Sequence, residues 1–168
     1  MRKVPFFFLL FSLNLLGQVP HCGFDFTSYL VVKANEEGKS DNIPDLKITL
    51  VNEKGEEVIN ENNKFSWKFG NQPLMFTRNH LISKPNEPDK WFFPYAGDTY
   101  LLSVTNTFPA EEFYIKIQDT KGKFNDQVVQ LQTFNMYILC SSENERQART
   151  FGPRTNNPIE VVLLKNNK

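Results

Sequence analysis

Only two histidines, His21 and His80, occur in the 168 residues, and that scarcity bounds the chemistry open to the chain. A histidine-rich metal site is excluded, and a Ser-His-Asp arrangement would have to use one of the two. His80 lies in Arg78 to Ile82, RNHLI, with no Ser or Cys in a nucleophile-elbow context, so it reads as a loop imidazole. His21 adjoins Cys22 close to the expected mature terminus and makes no case for catalysis. Carboxylates are plentiful, but Glu36, Glu37, Glu53, Glu56, Glu57, Glu111 and Glu112 fall at loops or strand ends among polar groups and read as solvated. A glycosidase pair meets in space and not in sequence, so a small secreted hydrolase using loop carboxylates stands as the alternative function. Asp41, Asn42 and Asp45 carry the oxygen ligands calcium takes, but no D-x-D-x-D-G loop is present, and no cofactor is expected.

The residues nominated for binding are Trp91, Phe92, Phe93 and Tyr95, in a long aperiodic stretch from Asn71 to Asp98 that contains Pro73, Pro85, Pro88 and Pro94. Loops of this length inside a domain are often functional. Flat rings offer large contact area at low entropy cost, which suits sugar rings or a partner's apolar side chains. The same rings serve equally to plug the open end of a sandwich, which is the commoner fate of aromatics. Arg146, Arg149 and Arg154 sit in a polar loop, available to an anionic partner or simply solvated. The partner class is therefore an unknown protein or glycan. Basic and acidic residues balance at 19 each with no basic block, which argues against nucleic acid.

The N-terminus supplies an address. Arg2 and Lys3 precede Phe6 to Leu16, FFFLLFSLNLL, a basic n-region followed by an apolar h-region of secretory length. That run is shorter than the roughly 20 residues a membrane span needs. The sequence predicts a signal peptide over residues 1–17 and one mature domain over 18–168, secreted or in the periplasm or cell envelope, with no stable membrane span after cleavage. Loss of Arg2 and Lys3 leaves 17 basic against 19 acidic groups, a net of about minus two. In an oxidising compartment Cys22 and Cys140 are expected to form a disulfide. Closing a loop of that size is worth roughly 4 to 5 kcal/mol in the chain-entropy model. A lipid anchor on Cys22 is the less favoured reading, because lipoprotein signals want a small residue where His21 stands.

The elements that would position these groups are strands. Leu30, Val32 and Ala34 alternate with Tyr29, Val31 and Lys33; Leu46, Ile48 and Leu50 alternate with Lys47 and Thr49. The Gly turn at Glu53 to Glu56 leads into a returning strand at Val58 and Ile59. Phe65, Trp67 and Phe69, spaced two apart, predict one aromatic face. Tyr100, Leu102 and Val104 form a further inward face, as do Phe113, Ile115 and Ile117, and Glu160 to Lys165 ends the chain as a strand. Gln127 to Cys140, the longest alternating run, reads as the organising core strand, its change of phase implying a bulge or bend near Thr133 to Asn135. Helix signals are nearly absent. The expected fold is all-β, an antiparallel sandwich of about seven strands, Ig-like or transthyretin-like, with a barrel as the other closure.

Ile43 to Val58, IPDLKITLVNEKGEEV, preceded by the strand at Leu30 to Lys33, resembles the opening of carboxypeptidase regulatory-like domains, which are transthyretin-like β-sandwiches. Asp98 to Val129 is similar to the body of such a module, with a Tyr-bearing strand, a second strand and a Gly-containing hairpin. The resemblance covers about half the mature chain. It implies an accessory, non-catalytic domain on an exported or surface protein.

Overall fold

The computed structural model describes residues 26–79, 98–105, 107–140 and 156–166. Among these residues eight strands form two sheets: β1 Phe26–Glu36, β2 Leu46–Val51, β3 Thr77–Asn79, β4 Thr99–Val104, β5 Tyr114–Asp119, β6 Gln127–Gln130, β7 Met136–Cys140 and β8 Ile159–Leu163. Helix among the described residues is confined to single 3-10 turns. The fold is an all-β sandwich.

The larger sheet is organised around β1. One edge of β1 pairs with β4 through Ser28 to Val32, and β3 adds beyond β4. The other edge is shared: β7 pairs antiparallel with Phe26 to Leu30, and β8 pairs parallel with Val32 to Glu36. An eleven-residue strand is long enough to take two short partners end to end. Every other ladder is antiparallel, including those of the smaller β2-β5-β6 sheet.

Period-two patterning explains the core. Leu30, Val32 and Ala34 of β1, Ile48 and Leu50 of β2, Tyr100, Leu102 and Val104 of β4 and Ile115 and Ile117 of β5 are all buried in one cluster between the sheets. A smaller cluster joins Val31 to Tyr137, with Tyr29 and Leu101 packed against it. Thr49, expected to face outward, is fully buried, as is Val51.

Two of the four passages from one sheet to the other depart from the sequence reading. Residues 73–76 run beside β2, where Leu50 N–H donates to Leu74 O at 2.9 Å and Phe76 N–H to Ile48 O at 2.9 Å; the next three residues are β3 of the larger sheet. The first nine residues of the expected 71–98 loop are therefore ordered. The second passage corrects the reading of Gln127 to Cys140 as one core strand. The chain leaves β6 in the smaller sheet, makes a 3-10 turn at Thr133–Asn135 and enters β7 in the larger. The phase change marks a change of sheet, and it leaves Val128 57% and Phe134 55% exposed.

The aromatic face over Phe65, Trp67 and Phe69 is also corrected. Trp67–Phe69 is a 3-10 turn; Phe65 and Phe69 pack on the core, while Trp67 faces solvent.

Candidate functional site

One end of the sandwich gathers the C-terminal ends of β1, β3, β5 and β8 with the N-terminal ends of β2 and β4. The turn of residues 41–45 is fixed there by buried polar groups. Asn42 Oδ1 accepts the Ala34 N–H at 2.5 Å, and its amide nitrogen donates to Asp98 O. Tyr100 donates its hydroxyl to Ile43 O at 2.8 Å and accepts the Leu46 N–H at 3.1 Å. Burial pushes the Tyr100 phenol above its ordinary range.

Arg78 on β3 and Asp98 just before β4 close the base of the intervening segment. The guanidinium grips both carboxylate oxygens, with Nε 2.6 Å from Oδ1 and Nη2 on Oδ2. This fork holds Arg78 charged, above its ordinary value.

Beside the 41–45 turn a cleft of about 380 Å³ opens toward the β5–β6 hairpin, with Ile43, Pro44 and Phe124 as its apolar part and Lys39, Lys121 and Lys123 among its charges. Of its carboxylates Glu36 and Asp119 are engaged, and so is Asp45 next to it. Glu36 meets Lys39 at 2.9 Å and Lys165 at 2.5 Å, and bonding to Lys165 and then Lys39 lowers its carboxyl to about 2. Asp45 pairs with Lys121 at 2.7 Å, which lowers the acid and raises the amine. Burial pushes Asp119 up, but the N–H groups of Lys121, Phe124 and Lys123 outweigh it and leave the carboxyl below the usual range.

Of the residues weighed for calcium, Asn42 is taken up in hydrogen bonds to Ala34 and Asp98 and Asp45 in its pair with Lys121. Among the described residues no three of His, Cys, Asp and Glu gather as a metal site. Trp91, Phe92, Phe93 and Tyr95 lie outside the described residues, as do His21, His80, Cys22, Arg146, Arg149, Arg154 and the expected 1–17 leader. Cys140 closes β7 with its backbone opposite Phe26; the proposed disulfide itself lies outside the described residues. Among the described residues no helix is long and apolar enough to cross a membrane.

The opposite end holds the residue that sequence reasoning passed over. Asn60, fully buried, accepts the N–H groups of Phe65 at 2.7 Å and Ser66 at 3.1 Å on one oxygen, and its amide nitrogen donates to Ser66 O. Thr105 donates its N–H at 2.6 Å and its hydroxyl at 2.9 Å to Phe65 O. Between these anchors Trp67 stands 76% exposed. Its spacing two residues from Phe65 and Phe69 gave no local sign of this, since polar flanks bound strands and turns alike.

The chain matches no family model, no curated protein and no solved structure.

Proposed function

We propose that this chain is an exported, non-catalytic β-sandwich module that binds a protein or glycan at the cell envelope or outside the cell. The rigid two-sheet scaffold presents the segment between Arg78 and Asp98, which carries Trp91, Phe92, Phe93 and Tyr95, to that partner. The resemblance to carboxypeptidase regulatory-like modules, with the accessory role it implies, belongs to the same proposal, as do signal cleavage after Gly17 and the Cys22–Cys140 bridge.

The observation that carries the non-catalytic part of the reading is the state of Glu36, Asp45 and Asp119 around the cleft. A general acid for hydrolysis needs a carboxyl whose pKa is raised toward neutrality. Glu36, Asp45 and Asp119 are all shifted the other way, each held ionised by lysines or backbone N–H groups. Such carboxylates stabilise turns and leave a surface for recognition.

The test pairs two assays on purified protein. Chromogenic glycosides and esters should show no turnover above the spontaneous rate; turnover abolished by a single carboxylate-to-amide change would install the hydrolase reading instead. Trp91→Ala with Phe93→Ala should remove partner binding and leave the fold intact, whereas an unfolded double variant would assign these rings to the core.

A further inference from the structure

Trp67 sits where a soluble domain gains nothing in stability from an indole, since a ring 76% exposed contributes little burial. Its setting is nevertheless heavily built. Phe65 and Phe69 are set into the core on either side of it. The Phe65 ring meets Phe108 edge-on at 6.0 Å, and Phe108 meets Phe113 at 4.9 Å. Ser66 caps the turn by accepting the Lys68 N–H at 3.3 Å. Asn62, Asn63 and Asn71 all adopt left-handed backbone, with φ of 52°, 57° and 51°. Gly70 is pressed so close to Asn63 that a Cβ would meet Oδ1 at 2.7 Å. Asn enters this region more readily than other side chains, so the residue types themselves fix the turns that hold the segment.

From this geometry we propose that Trp67 is the stacking platform of a saccharide-binding site; the inference rests on the reading of the chain as a binding module. The chemistry around the ring selects the ligand class. Its neighbours in sequence Glu61, Asn62, Lys64, Lys68, Asn71 and Gln72 are all exposed, so the indole projects from a polar segment. A protein hot spot wants a ring inside a larger apolar patch, and a membrane surface wants a continuous apolar face; among the described residues the exposed positions of segment 61–72 other than Trp67 supply neither. A pyranose fits both parts. The C–H groups on one sugar face carry positive edge charge that meets the negative face of the π system, and the rim hydroxyls exchange hydrogen bonds with amides, carboxylates and ammonium groups. The same end of the sandwich also holds a shallow cleft of about 620 Å³ lined by Asn52, Glu112, Tyr114 and Gln130, which reaches Trp67's anchors through Phe113. A preorganised ring loses little entropy when it is covered.

The experiment uses the full mature chain, a Trp91→Phe variant in which Trp67 is the sole indole, and short β-linked oligomers of glucose, N-acetylglucosamine, xylose and mannose as probes. At least one oligomer should shift the Trp67 emission to the blue and shield it from acrylamide. Calorimetry on the otherwise unaltered chain should give an affinity for that oligomer that Trp67→Ala weakens by at least about tenfold and Trp67→Phe largely restores. The thermal midpoint of Trp67→Ala should match that of the parent, since the ring is mostly in solvent. Binding that survives Trp67→Ala overturns the inference and leaves the binding-module reading standing. Absence of any response from Trp67 to all four sugars also overturns it, as does shielding that appears on concentrating the protein alone. Hydrolysis of a bound oligomer would overturn the binding-module reading itself.

Discussion

Arg78 and Asp98 are separated by nineteen intervening residues and meet as a two-pronged ion pair at the base of the β3–β4 connection, with Asn42 bonded to the Asp98 carbonyl. The fork sits partly buried, so it is shielded from solvent more than a surface pair is. Arg78→Ala should lower stability by about 1 to 2 kcal/mol, discounted for the remaining exposure. Urea unfolding checks this: the midpoint should fall with the slope unchanged.

Glu36 gives a pH signature. Its carboxyl is lowered from 4.5 to about 2 in the folded protein by Lys165 and Lys39. A depressed folded value means the stabilisation is fully present above pH 4.5 and is lost as pH falls toward about 2. Glu36→Gln should therefore destabilise the protein at neutral pH, and the gap to the parent should close across that acid window. Thermal midpoints of both proteins between pH 7 and pH 2 check the convergence.

Tyr100→Phe removes one oxygen and strands two buried backbone groups, the Leu46 N–H and the Ile43 carbonyl. The cost should be about 1 to 3 kcal/mol. Burial raises the Tyr100 pKa above 10.0, so its neutral form is favoured in the folded state. That contribution is present below pH 10 and is lost as pH rises through the folded value, and Tyr100→Phe should abolish this part of the alkaline destabilisation. Spectrophotometric titration of the phenols, compared between parent and variant, reads it directly.

Asn60 makes three hydrogen bonds through its fully buried side chain at the Trp67 end. Asn60→Ala leaves the Phe65 and Ser66 N–H groups and the Ser66 carbonyl without their amide partner, at a cost of about 2 to 4 kcal/mol. Asn60→Asp keeps the acceptor and loses the donor, so it should fall between parent and alanine variant. Chemical denaturation of the three proteins orders them.

How far the sequence discloses the fold depends on the kind of signal each element carries. The strands β1, β2, β4 and β5 are legible because one face of each is apolar at every second residue, a pattern that survives although Val31, Thr49 and Val51 on the other faces are buried too. Residues 73–79 were illegible because the stretch opens on Pro73 and divides its pairing between two sheets, so no single face repeats. Phe65, Trp67 and Phe69 misled for the opposite reason: period two also arises when Phe65 before a one-turn helix and Phe69 at its end turn inward while Trp67 at its start turns outward. The slip near Thr133 was visible, but bulge, bend and sheet switch leave the same trace in sequence. The parallel seat of β8 on β1 has no local signal. The candidate site was the least legible part, since Arg78 with Asp98, Glu36 with Lys165, and Asn60 with Ser66 are matched by three-dimensional placement, and carboxylates at loops look solvated until their partners are known.

The most direct test of the claim that a rigid scaffold holds preorganised surfaces at both ends is amide hydrogen exchange by NMR, residue by residue. The account predicts that the N–H groups of Phe65, Ser66 and Thr105 at the Trp67 end, and of Ala34, Ile43 and Leu46 at the cleft end, exchange as slowly as those in the middle of β1 and β5. Fast exchange at these six amides alongside protected strand centres would contradict it, because the ends would then open freely and present no fixed surface to a ligand.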